Sequence, residues 1–284
     1  MCVPWSWAGW SLALGSAAWL GLRFFEWKNL YYPDTKIEAT PENFGLEYED
    51  VQFVAEDGNE LHGWWIPHPA ARGTIIHCHG NAGNIGDRAW MAADFHRLGV
   101  NVFLFDYRGY GDSKGLPTEK GTYADARAAF EVVRARHGDR EDPPVIVHGQ
   151  SLGGAVAIQL VRDKSARGLI VESAFTSVLD MGRMLYPWLP VKAFVRYRYD
   201  SLAKIPEITI PKLIAHSKAD ELIPFEMGRK LFDAAPESKR FVELIGAHNE
   251  AGWGPNPEYW ARIEAFVDLV FGTTAERDAI NTGA

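Results

Sequence analysis

Ser151 stands between two glycines in Gly149-Gln150-Ser151-Leu152-Gly153, directly after the apolar run Val145-Ile146-Val147. A serine hydroxyl is a weak nucleophile at its free pKa. It attacks when a neighbouring base takes its proton and a buried acid holds that base in one tautomer. The G-x-S-x-G spacing meets a first requirement, exposure of the hydroxyl. The run reads strand, sharp turn, helix, and a side chain at either glycine would crowd the strand and helix as they double back. The same residues also fit an ordinary strand-to-helix turn with a capping serine, so the partners decide. Two candidates lie downstream: Asp220 in Ser217-Lys218-Ala219-Asp220-Glu221-Leu222-Ile223-Pro224, and His248 in Gly246-Ala247-His248-Asn249.

These residues need elements to bring them together. Residues 47–54 alternate polar and apolar, Glu56-Asp57-Gly58-Asn59 supplies a turn, and 61–66 continues, which reads as an antiparallel hairpin at a sheet edge. Short apolar runs follow at 74–78, 100–105, 145–147, 169–171, 212–215 and 241–245, mostly separated by helical stretches at 87–98, 123–136, 152–162, 226–234 and 257–271. Strands alternating with helices imply right-handed crossovers and a mostly parallel eight-stranded sheet with helices on both faces, an α/β fold. In such a sheet, ligands bind at the carboxyl ends of the strands. His79-Gly80-Asn81, Asp106-Tyr107-Arg108-Gly109-Tyr110-Gly111, Ser151, Asp220 and His248 all fall there.

In these pieces and their order the sequence resembles an α/β-hydrolase from about residue 47 to 271. It is closest to the branch of serine hydrolases with a hydrophobic N-terminal segment and a short lid after the sixth strand. The family's chain order of Ser, Asp, His is matched. The resemblance implies that Ser151 attacks an acyl carbon, that His248 takes and later returns the proton, and that Asp220 orients His248. It also implies an oxyanion hole made by the backbone N–H groups of Leu152 and Asn81, with Gly80 and Gly83 letting the Asn81 loop come close. Ser217 departs from the pattern, since that family often has glycine ahead of the acid.

Competing readings stay open for several residues. His216 is the serious alternative base, although it is close to Asp220 in the chain; Glu221 is the alternative acid. His62, His68, His96 and His137 fit surface or packing roles, and His148 precedes the elbow. Asp106 and Arg108 read as builders of their loop, and Asn81 and Asn84 tolerate turn geometry. Residues 173–210 carry Tyr186, Trp188, Phe194, Tyr197 and Tyr199, more aromatics than a crossover requires. They read as a small helical lid over Ser151 lining an apolar acyl pocket, or as rings that only pack the lid onto the domain.

Residues 3–22 contain no charge and hold Trp5, Trp7, Trp10 and Trp19. As a helix they would be about 30 Å long, the thickness of a bilayer core. Tryptophan favours interfaces, so a membrane anchor is the expected role. The alternatives are a helix lying on the membrane or covering an apolar patch of its own domain, and a cleaved signal peptide, against which the missing n-terminal charge counts. The expected division is a hydrophobic N-terminal helix at 1–28, a connector at 29–46, a catalytic domain at 47–272 and a tail at 273–284. On that division, removing 1–28 should leave turnover of a soluble short ester intact while releasing the protein from membranes.

The bulk numbers exclude other classes. The 284 residues are 47% apolar, enough for a substantial core. A net charge of −8 without basic runs argues against nucleic acid. Two cysteines, Cys2 and Cys78, make no disulfide framework. His77, Cys78 and His79 lack metal-ligand geometry, because Cys78 points away from the face its neighbours share in a strand. The expectation is therefore a membrane-associated serine hydrolase of lipophilic carboxylic esters, working through an acyl-enzyme with no metal or organic cofactor. A thioesterase or amidase would use the same triad. A non-catalytic, membrane-tethered hydrolase-fold binding protein is the reading from another class, and it would not need Ser151, Asp220 and His248 together.

Overall fold

The computed structural model describes residues 5–250 and 256–272; the expected tail at 273–284 lies outside them. Ten strands occur among the described residues: β1 (Tyr32–Pro33), β2 (Glu49–Val54), β3 (Glu60–Ile66), β4 (Thr74–Cys78), β5 (Ala82–Gly83), β6 (Asn101–Phe105), β7 (Val145–Gln150), β8 (Gly168–Glu172), β9 (Lys212–Ser217) and β10 (Lys239–Leu244). Eight of them form one sheet in the order β10-β9-β8-β7-β4-β6-β3-β2. The β2–β3 and β3–β6 pairs are antiparallel and the others parallel, as the hairpin and the strand–helix alternation predict.

Side chains alternate across each strand, and the sheet therefore feeds two cores. Ile76, Phe103, Phe105, Val145 and Val147 face one core, with Phe130 of α3 (Glu119–Arg136), Val156 of α4 (Leu152–Asp163) and Leu231 of α8 (Phe225–Ala234). Ile75, Val102, Leu104 and Ile146 face the other, with Phe95 of α2 (Ala89–His96) and Phe266 of α9 (Pro257–Phe271). Both faces are thus covered, and the carboxyl edge of the sheet is left for the site.

Above that edge lies the insert between β8 and β9, built from α5 (Val178–Leu185), α6 (Val191–Phe194) and α7 (Ser201–Lys204). It is the small helical lid expected from residues 173–210. Two carboxylates fasten its returning segment. Glu119, in the first turn of α3, accepts from the N–H groups of Arg198 at 2.6 Å and Tyr199 at 2.8 Å. Glu26 accepts from those of Arg196 at 2.7 Å and Tyr197 at 2.9 Å.

Glu26 belongs to α1 (Trp5–Leu30), which runs two residues past the expected end. Its C-terminal part docks on the domain. Trp27 Nε1 donates to the Pro117 carbonyl at 3.0 Å, and Trp27 and Leu30 pack against the core. The expected connector is knitted in as well. Tyr31 is buried, its hydroxyl 2.8 Å from that of Tyr199, and β1 pairs with β5 in the loop after β4. Among the described residues no helix is long and apolar enough to cross a membrane.

Candidate active site

β7 ends at Gln150 and α4 begins at Leu152, which leaves Ser151 alone to reverse the chain. It does so at φ +54°, a strained left-handed conformation for a non-glycine residue. Its N–H donates to the Glu172 carbonyl of β8 at 2.9 Å. The flanking glycines are sterically required. A Cβ on Gly149 would overlap Gly153 and Ala157, and one on Gly153 would overlap the carbonyl oxygens of Cys78 and His79.

The loops after β9 and β10 bring the distant partners over the turn. His248 Nε2 lies 3.2 Å from Ser151 Oγ, and His248 Nδ1 lies 2.8 Å from Asp220 Oδ2. All three residues are buried. Asp220 also accepts from the N–H groups of Leu222 at 3.0 Å and Ile223 at 2.7 Å. Burial works against its charge, but hydrogen bonds from His216, His248 and the Ile223 backbone outweigh burial and hold the carboxyl well below the usual carboxylate range.

The competing residues are placed elsewhere. His216 Nε2 donates to the Ile223 carbonyl at 2.9 Å and lies 3.3 Å from Asp220, so it stands behind the acid. Glu221 accepts from the backbone N–H of His248 at 2.9 Å, not from its ring. His148 faces the opposite core, 2.8 Å from His77 Nδ1 and 3.2 Å from Glu172. His62 pairs with Asp50, and His137 with Thr74. Arg108 bonds Asp125 and Asp57, while Asp106 accepts from the Ile85 N–H.

Ser217, the departure from the family pattern, has a structural role. Its hydroxyl donates to the Gly246 carbonyl at 2.6 Å and accepts from the Ala219 N–H at 3.0 Å, joining the loops of Asp220 and His248.

Asn81 and Leu152 border the same cavity as Ser151. The Asn81 loop is held by its neighbours: Tyr107 donates to the His79 carbonyl at 3.2 Å, Tyr110 to the Asn81 carbonyl at 2.8 Å, and His79 Nδ1 to the Gly80 carbonyl at 2.7 Å. Burial pushes the His79 imidazole down to about 3 and raises the nearby Asp106 carboxyl well above its ordinary value. The two glycines differ in their need. Gly83 has φ +77° and no room for a Cβ beside Asp87, whereas a Cβ on Gly80 would meet its nearest neighbour at an ordinary 3.7 Å.

The cavity above Ser151 measures about 380 Å³. Phe175, Val178, Met181, Leu185 and Phe194 make it apolar, while Tyr197 and the buried Tyr199 pack on Tyr31 instead. Its remaining wall bears on the expected division of the chain. Leu22, Phe25, Glu26, Asn29 and Leu30 of α1 line it, so part of the expected N-terminal helix borders the same cavity as Ser151. Those positions recur at i, i+3, i+4, i+7 and i+8, one face of a helix, but they mix Leu22, Phe25 and Leu30 with Glu26 and Asn29, so no apolar stripe marked them in the sequence.

Comparison with known proteins places this architecture. A family model described as serine aminopeptidase, S33, matches residues 69–202. The uncharacterized protein Rv2307c of Mycobacterium tuberculosis is 35% identical over 237 residues, covering 81% of this chain and 84% of that one. The alpha/beta hydrolase domain-containing protein WAV2 of Arabidopsis thaliana is 34% identical, covering 86% and 88%. Among solved structures, the esterase Pf2001 of Pyrococcus furiosus superimposes with a TM-score of 0.70 at 22% identity, over 86% of this chain and 98% of that one. That likeness concerns the fold, which is the one expected.

Proposed function

The chain belongs to the α/β-hydrolase family, and from that premise we propose that it is a serine hydrolase of carboxylic esters working through an acyl-enzyme. The observation that carries this reading is the unbroken hydrogen-bond chain Ser151–His248–Asp220 at the wall of an apolar cavity. Ser151 Oγ attacks the acyl carbon as its proton passes to His248 Nε2, and Asp220 stabilises the imidazolium through Nδ1–H. The tetrahedral oxyanion accepts from the backbone N–H groups of Leu152 and Asn81. Leu152 opens α4, whose first N–H groups have no partner within the helix. His248 then returns the proton to the departing alcohol. In the second half of the cycle it takes a proton from water, which attacks the acyl-enzyme and releases the acid.

The cavity's aliphatic and aromatic lining supports a lipophilic acyl group as substrate. The uncharged, tryptophan-rich start of α1 supports membrane association.

The test is hydrolysis of p-nitrophenyl esters from acetyl to palmitoyl by the wild type and Ser151→Ala, with fluorophosphonate labelling in parallel. The wild type should turn over and be labelled, and the variant should lose about a millionfold in rate. Turnover surviving in Ser151→Ala would refute the nucleophile. Labelling without cleavage of any ester would move the assignment to a thioesterase or amidase.

A further inference from the structure

The cavity opens through an apolar rim. Phe25, Leu185, Leu189 and Phe194 line the cavity and are yet between 40% and 48% exposed. The rim is continuous between α1 and the lid. Phe25 meets Tyr186 edge-on at 5.8 Å, and Tyr186 meets Trp188 at 5.9 Å. Trp188 is 73% exposed, a large ring projecting beyond Tyr186 into water. Exposed apolar surface gathered at the mouth of a pocket marks a docking face, not scattered surface residues.

The charge around this rim identifies the occupant. Residues 181–199 carry Arg183, Lys192, Arg196 and Arg198, all exposed, and no Asp or Glu, in a chain whose net charge is −8. The nearest acids are already engaged. Glu26 gives one oxygen to the Arg196 and Tyr197 backbone and the other to Arg23, and Asp180 bonds Thr176, Ser177 and Arg183. Protruding aromatic and aliphatic side chains beside Lys192, Arg196 and Arg198, which no carboxylate pairs among the described residues, complement an anionic phospholipid surface: rings enter at headgroup depth while Lys and Arg meet phosphates.

We propose that the lid and the C-terminal part of α1 together dock on an anionic lipid bilayer, with the cavity mouth against it, so that acyl substrates enter from the lipid without crossing water. The identity of the substrate rests on the ester-hydrolase reading above; the docking itself does not. Insertion would be through Trp188 and the rim, and α1 would act as a wall shared by the pocket and the membrane.

The experiment uses the full chain with Cys2→Ser and Trp188→Cys, carrying an environment-sensitive fluorophore at the new thiol. Cys78 is buried and its thiol is pushed up to about 12 by burial, so it stays unlabelled. Arg140→Cys, in the exposed loop ahead of β7 and thus at the opposite end of the sheet, is the control. With phosphatidylcholine vesicles containing phosphatidylglycerol, the probe at 188 should shift to the blue and the probe at 140 should not. Lys192→Glu with Arg196→Glu should weaken binding to these vesicles about tenfold or more. Failure to bind overturns the proposal. So does binding with the 188 probe still in water, which would leave attachment to α1 alone, and so does a shift at both positions, which would be general adsorption. None of these readouts requires turnover, so an inactive protein could still pass, and an active one could still fail.

Discussion

The side-chain amide of Asn81 donates to the carbonyl oxygen of Leu30 at 3.1 Å, while the Asn81 carbonyl accepts from Tyr32 N–H at 2.9 Å. The end of α1 is therefore tied to the residue assigned half of the oxyanion hole. Removing residues 1–32, which takes away both of these partners of Asn81, should cost about a hundredfold or more in kcat on a soluble short ester, the scale of a misplaced oxyanion donor. Asn81→Ala keeps the backbone N–H but loses one hydrogen bond, and should cost about fivefold. Steady-state kinetics beside circular dichroism separates this from unfolding; full activity of the folded truncated protein would contradict it.

Ser217 bridges the loops that carry Asp220 and His248. Ser217→Gly, the family's commoner residue, should lower kcat about five- to tenfold with little change in KM, because one buried bond of about 1 to 1.5 kcal/mol ceases to hold His248 in register. Ser217→Thr, which keeps the hydroxyl, should restore most of the rate. A KM effect alone would show that the hydroxyl acts on substrate binding instead.

Asp220 has a depressed folded-state pKa, below the value of about 3.9 for an unfolded aspartate. The unfolded chain therefore binds more protons between those two values, and stability rises with pH across them. The stabilisation is complete above about pH 4 and is lost as pH falls through the folded value. Denaturant midpoints of the wild type and Asp220→Asn should differ at pH 7 and draw together as the pH falls below about 4. At pH 7 the variant should lose about ten-thousandfold in kcat, whereas Glu221→Gln, whose carboxylate accepts from the His248 backbone N–H and not from its ring, should stay within about tenfold of wild type, the scale of one lost hydrogen bond. An equal loss in both would reopen the choice of acid.

Glycine scanning distinguishes the elbow from the loop beside it. Gly153→Ala drives a methyl into the backbone of β4 and should destabilise by about 3 kcal/mol or more, or prevent folding. Gly80→Ala has ordinary space and should melt within a few degrees of wild type. Thermal denaturation of the two variants checks this, and equal losses would mean the clearance at Gly80 is not what sets tolerance.

The sheet was readable because its β-branched and aromatic runs end abruptly in Gly, His, Asp or Ser, which placed Ser151, Asp220 and His248 at strand ends before any geometry was known. The wall supplied by α1 was not readable in the same way. An uncharged run ending at Arg23 looks like the end of a membrane segment. Here Arg23 pairs with Glu26 one turn on and donates to the Phe194 carbonyl, 171 residues away, a contact that local pattern does not carry. The role of Ser217 was hidden for the same reason, since its partner Gly246 is 29 residues away.

The Glu26 contacts with Arg196 and Tyr197 join positions 170 and 171 residues apart. During synthesis Glu26 therefore emerges 170 residues ahead of its first lid partner. Until the lid has been made, the helix face that will wall the cavity has nothing of its own chain to cover it, and closing so long a loop carries a large entropic cost. The cavity wall therefore closes only after the lid has been made, while β9 and β10 at one edge of the sheet are still to follow in the chain.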